Sequence, residues 1–240
     1  MLTLAIETSN PGPSGIAGAH ACSGSVCVGE TSPPGTPVRV LSTRELAPAS
    51  RHDDALMPAV DAACRECGVT PTSLRRVAVS IGPGGFTSTR IAVTTAKMIA
   101  EATGAECVAV PTARAAALAL RADHPNHTVG VLLAWKRADA WRCRYRVTPG
   151  DAEPLDDERS NLIVPLDRAA ESLDLLCCDP ALRDALPESV RSRCVPITFH
   201  ARLVLEACAR FPPVDPAHLL PLYPREPEAV TKWRALHPPR

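Results

Sequence analysis

From Val77 to Val110 the chain can be parsed in essentially one way. Val77 to Ile81 is a short apolar run rich in β-branched residues, and it ends abruptly at Gly82-Pro83-Gly84-Gly85. From Ser88 to Thr103 apolar and small residues recur at helical spacing, with Thr87 and Ser88 as capping candidates and Gly104 as the stop. Glu106 to Val110 then reads as another strand. Glycines in such a turn let backbone approach another object with no Cβ in the way. That object could be a phosphate at the helix N-terminus, a neighbouring helix or another protein. A P-loop needs G-x-x-x-x-G-K-[ST], and both its lysine and its spacing are missing here.

The flanking segments extend the pattern. Leu2 to Ile6 reads as an opening strand, closed by the turn residues Ser9 to Pro13, and Gly15 to His20 and Val38 to Thr43 read as the next two strands of a meander. Residues 22–37, rich in Gly, Ser, Thr and Pro, are expected to be a hairpin loop or an insertion outside the core. Asp53 to Cys67 carries Leu56, Met57, Val60, Ala63, Cys64 and Cys67 at helical spacing. Strands followed by alternating helix and strand predict an α/β fold with a mixed sheet. After Pro111 the rhythm is weaker. A helix is expected over 112–121, paired strands over 129–135 and 142–147 around a polar turn, a strand over 173–178 and a helix over 201–210. A Pro-rich region from Pro212 stays irregular until 229–236. The expected division is residues 1–111 and 112–240.

Charge and cysteine usage narrow the function classes. The 26 basic and 26 acidic residues cancel, so the lone chain has no basic excess with which to grip nucleic acid strongly. Neither a signal peptide nor a membrane span is expected, and a cytoplasmic location is the default. The ten cysteines are scattered. Only Cys64 and Cys67 have C-x-x-C spacing, so buried thiols acting as small hydrophobes are expected and no metal site. His52, His124 and His127 form no H-E-x-x-H pair and read as solvated or capping histidines.

The string Gly82-Pro83-Gly84-x-Phe86-Thr87-x-x-Arg90-Ile91, leading into Ala96-Lys97 and Gly104, resembles the G-P-G-S-F-T-G-L-R-I-G…A-K-G-L-A segment of the TsaB family. Arg51-His52-Asp53-x-x-Leu56-Met57-Pro58 resembles that family's H-x-x-x-L-L-P helix opening, and Leu4-Ala5-Ile6-Glu7-Thr8-Ser9 its L-A-I-D-T-S strand. Val108 to Thr112 is similar to V-G-V-S-S, and Pro221-Leu222-Tyr223-Pro224-Arg225 to the P-x-Y-x-R tail. Departures are Glu7 for Asp, Gly85 for Ser, Ser88 for Gly and Thr89 for Leu. Across Trp135 to Arg142, where the family has D-A-R-x-G-E-V-Y, only Arg137 survives.

This resemblance implies an ASKHA architecture, two related α/β lobes like those of actin and sugar kinases, with mixed sheets and flanking helices. The N-terminal lobe would carry the glycine loop and interface helices, and the C-terminal lobe would be divergent. It implies a non-catalytic scaffold or activator subunit of the complex that places threonylcarbamoyl on a tRNA adenosine. The partners would be a TsaD-like catalytic subunit and a TsaE-like ATPase, with tRNA reached only through the complex and a homodimer also open. No cofactor is expected in the isolated chain; ATP and a divalent metal would belong to the partner subunits. The implied interface comprises Leu56, Val60 and Ala63 on the first helix, and Phe86, Thr89, Arg90, Ala92, Val93 and Ala96 at and beyond the loop. A vestigial nucleotide site would gather Glu7, Thr8, Ser9, Gly82, Gly84 and Gly85. The competing reading is an enzyme, either an ATP-dependent ASKHA phosphotransferase or a glycoprotease-like hydrolase. A kinase would need acids in both lobes, and a peptidase a nucleophile–base pair or metal ligands.

Overall fold

The computed structural model describes residues 1–9, 24–46, 52–160, 162–224 and 228–237. Two six-stranded mixed sheets carry the architecture. The first has the order β12-β5-β4-β1-β2-β3, built from β1 (Leu2–Glu7), β2 (Ser25–Glu30), β3 (Arg39–Glu45), β4 (Arg76–Ser80), β5 (Glu106–Val110) and β12 (Pro213–Val214). Strands β1, β4 and β5 are parallel; β2, β3 and β12 attach antiparallel. The second runs β11-β10-β6-β7-β8, from β6 (Thr128–Lys136), β7 (Asp139–Val147), β8 (Ala152–Pro154), β10 (Leu175–Cys178) and β11 (Cys194–Pro196), with β9 (Ile163–Pro165) on β7.

Alternation along the central strands divides the core. Leu4, Ile6, Val77 and Val79 point to one face, where α1 (His52–Glu66) and α2 (Phe86–Thr103) cover them. Ala5, Ala78, Val108 and Val110 point to the other, joining α3 (Thr112–Ala119), α6 (Ala201–Ala207) and the near face of the second sheet in one continuous core. The far face of the second sheet buries Leu132, Leu176 and Cys178 under α4 (Pro180–Ala185), α5 (Glu188–Arg191) and residues 166–173. Small residues on the inner face of the first sheet let the intervening helices come close, which a chain with only 3% aromatics requires.

The expected strands over 2–6, 77–81 and 106–110 stand within a residue of β1, β4 and β5. The loop expected over 22–37 is corrected: Ser25–Glu30 is a strand between β1 and β3, with Val26, Cys27 and Val28 wholly buried. Its polar flanks are turn residues, and its centre is core. The strand expected over 15–20 lies outside the described residues. Helix α2 starts at Phe86, with Gly85 as its N-cap in place of Thr87 or Ser88. Irregular structure was expected after Pro212, but β12 pairs there with β5, and Leu219 is buried beside α2 in the first core. Among the described residues, α7 (Glu228–Leu236) is the last element. No helix among the described residues is long and apolar enough to cross a membrane.

Candidate partner interface and the closed glycine corner

Because β1, β4 and β5 are parallel, their C-terminal ends open at one edge of the sheet, where α/β folds commonly bind ligands. Here the chain itself bonds to the ends of β1 and β4, beside a cavity of about 400 Å³ lined by Ile81, Pro111, Arg114, Glu158 and Leu222. The Glu7 carboxylate, 3% exposed, accepts hydrogen bonds from the Ser9 amide at 2.6 Å and the Ser9 hydroxyl at 2.7 Å. The Ser9 hydroxyl also lies 2.9 Å from the Thr112 hydroxyl at the start of α3. The Thr8 hydroxyl donates to the Ser88 carbonyl at 2.9 Å.

The glycine loop closes on the same point. The Gly85 amide donates to the Ser9 carbonyl at 2.6 Å, and a Cβ on Gly84 would lie 1.8 Å from that oxygen. The Gly82 carbonyl accepts from the Thr112 amide at 3.0 Å, and the Ile81 carbonyl from the Leu222 amide at 2.7 Å. Thus Glu7, Thr8, Ser9, Gly82, Gly84 and Gly85 do come together, but as a knot joining three strand ends to the C-terminal tail. These residues do not fit a bound phosphate: the space over Gly84 holds the Ser9 carbonyl, and the Gly85 amide is already spent.

The implied interface residues separate into two groups. Leu56, Val60, Ala63, Thr89, Ala92, Val93 and Ala96 are each at most 5% exposed and face the sheet. They are a correction to the expected contact face. A helix lying on a sheet turns its apolar stripe inward, and the small residues serve the close packing of α1 and α2 over β1, β2 and β4. Phe86 and Arg90 point outward, as do Met57 and Pro58 on α1, and Thr94 and Met98 on α2. Met57, Phe86 and Met98 are 50%, 46% and 67% exposed.

Phe86 also joins two segments that are distant in sequence. Its ring stacks on Tyr223 at 4.7 Å between centroids, and the Arg90 guanidinium lies over the Phe86 ring at 5.3 Å. The glycine-loop string and the tail therefore meet through Phe86, Arg90 and Tyr223. Sequence reasoning left Tyr223 out of the site because nothing local signals that contact. Burial raises the Tyr223 hydroxyl above its ordinary pKa, with Arg90 pulling the other way. His124 and His127 pack edge to face at 5.8 Å, away from this corner. Of the nine described cysteines all are thiols and all but Cys67 are buried, and no group of metal-ligating side chains gathers among the described residues.

Residues 45–146 match the family described as TsaD, tRNA N6-adenosine threonylcarbamoyltransferase. YeaZ from Pseudomonas aeruginosa superposes with a TM-score of 0.67 at 20% identity, over 92% of this chain and 99% of that one. An uncharacterized protein with similarity to peptidase YEAZ, also from Pseudomonas aeruginosa, gives 0.68 at 20% identity, over 93% and 99%. No curated protein matches. The chain thus shares the two-sheet α/β fold of these two structures.

Proposed function

We propose that this chain is a non-catalytic scaffold subunit of a tRNA threonylcarbamoyladenosine-forming complex, docking a TsaD-like catalytic subunit through the outer side of α1 and α2. In this reading a TsaE-like ATPase joins the pair. ATP and a divalent metal are handled by the partners, and tRNA is reached only through the assembly. The carrying observation is the closed corner: the Ser9 carbonyl occupies the space above Gly84 and takes the Gly85 amide, at the strand ends where an ASKHA phosphotransferase would cradle phosphate. The outward apolar side chains Met57, Phe86 and Met98 support the docking surface, since side chains of this size on adjoining helices form the anchors of helical interfaces.

The test is co-expression with the same organism's TsaD-like protein, followed by co-purification and a tRNA-modification assay. A stable complex is expected, with modification by the assembly and none by this chain alone. Met98→Arg should weaken capture about tenfold or more, while the melting temperature of the free chain stays unchanged. Threonylcarbamoyl transfer or ATP turnover by the rigorously purified single chain would overturn the reading, as would failure of the two proteins to associate.

A further inference from the structure

Cys178 and Cys194 meet at an edge of the second sheet, far in sequence from everything assigned above. Strands β10 and β11 run parallel, with Cys178 opposite Pro196 and Cys194 opposite Leu176. The two thiols therefore lie diagonally across the ladder, and their sulfurs are 3.2 Å apart. A disulfide needs about 2.05 Å, so the sulfurs would have to close by roughly 1.1 Å. The three-residue strand β11 sits at the sheet edge and pairs only with β10 among the described strands, which leaves it room to shift.

The chemistry of this pair differs from that of the other buried cysteines. Burial pushes the thiols of Cys27, Cys64, Cys107, Cys143, Cys177 and Cys208 up, which keeps them protonated and inert. Cys194 is shifted down: the Cys178 thiol hydrogen-bonds to its sulfur, outweighing burial, and the Arg183 charge adds to the effect. The Arg183 Nε is buried and has no hydrogen-bond partner among the described residues. A cation with an unused donor thus stands near the thiol whose ionised form it favours. The neighbouring Cys177 belongs to the opposite face of the sheet, in the core between the two sheets.

We propose that Cys178 and Cys194 form a reversible dithiol–disulfide site that reacts with small disulfides of the glutathione type. The Cys194 thiolate attacks one sulfur of the small disulfide and expels a thiolate, which takes up a proton. Cys178 then gives up its proton and attacks the Cys194 sulfur of the mixed disulfide, expelling the second small thiol. In sum two protein thiols lose two electrons and two protons, and one small disulfide becomes two thiols.

The test uses the full chain, incubated with oxidised glutathione in native buffer and, separately, in denaturant. Acid quenching, alkylation and tryptic digestion follow. Cleavage releases residues 169–183, holding Cys177 and Cys178, and residues 194–202, holding Cys194. A joined peptide alkylated once, at Cys177, and otherwise about 2 Da lighter than the sum of its reduced parts is expected from the native protein. It should vanish in Cys178→Ser and Cys194→Ser and persist in Cys177→Ser. Arg183→Gln should slow its formation about threefold or more at neutral pH, with the gap narrowing in alkali as the thiolate forms unaided. The proposal is overturned if the native protein yields only unjoined peptides, if the link forms in denaturant alone, or if it survives in Cys178→Ser. Should the serine variants not fold, the native-against-denatured comparison of the unmodified chain decides the matter.

Discussion

Gly84 and Gly104 show how differently two glycines can matter. Gly104 ends α2 in the left-handed region at φ 70°, and a Cβ there would meet none of the described residues within 4 Å. Gly104→Ala should therefore cost only the conformational penalty, about 1 kcal/mol. At Gly84 the added carbon would have to displace the Ser9 carbonyl, and with it the hydrogen bonds of Glu7 and Thr112 to the Ser9 side chain. Gly84→Ala should cost about 3 kcal/mol. Urea titration of both variants checks the ranking, and equal costs would mean the Ser9 carbonyl yields easily to an added Cβ. The same contrast applies along α2. Ala92 and Ala96 are wholly buried, so Arg at either should unfold the free chain, at a cost of about 4 kcal/mol or more. Thr94→Arg, on the exposed side, should melt like the parent protein. Far-ultraviolet circular dichroism melts distinguish the two outcomes. Small residues at helical spacing announced close packing; that the packing is internal follows from the sheet beneath, which local spacing does not reveal.

Helix α6 spans the space between the two sheets, and its N-terminus is capped by a titratable group. The His200 Nδ1 accepts from the Arg202 amide at 3.2 Å, and the following amide, of Ala201, donates to the Ser25 hydroxyl at 2.8 Å. Burial lowers the His200 pKa from its ordinary 6.5, with Glu45 opposing and Arg202 assisting. A protonated ring cannot accept the capping bond, and the unfolded chain takes up the proton first. The stabilisation is therefore intact above about pH 6.5 and is lost as the pH falls through that value towards the depressed folded one. His200→Asn keeps a capping acceptor that does not titrate. Between about pH 7.5 and pH 5.5 the parent should lose more melting temperature than the Asn variant; parallel curves would show that His200 is not the responsible group. Elements such as β1, β4, β5 and α2 were legible because each combines one clear period with a strong stop. The strand β2 was not, since its six residues lie among Gly, Ser, Thr and Pro that locally favour turns, and only pairing on both sides makes it a strand. The short β11, β12, α4 and α5 lack the length to show any period at all.

At the scale of the molecule, the chain visits the first sheet, builds the second, and returns. That return was beyond local reading, because nothing in Pro213-Val214 signals a partner about a hundred residues earlier. After α6, Val214 pairs with Cys107, Leu219 buries itself in the α1/α2 core, the Leu222 amide bonds to the Ile81 carbonyl, and Tyr223 stacks on Phe86. Burying Leu219 alone is worth about 2 kcal/mol, and the aromatic stack adds about 1 kcal/mol. The tail is therefore a structural strap on the N-terminal half. Shortening the chain to residues 1–224 removes, of the described structure, α7 and His237, whose described side chains are all exposed, and should leave the melting temperature within about 2 °C of the full chain. Shortening it to residues 1–212 removes the whole strap and should lower the transition by about 10 °C or more. Hydrogen exchange should then show the new weakness at the distant residues 81–90 and along β5, with the second sheet little changed. If residues 1–212 melt like residues 1–224, the strap contributes nothing to the fold.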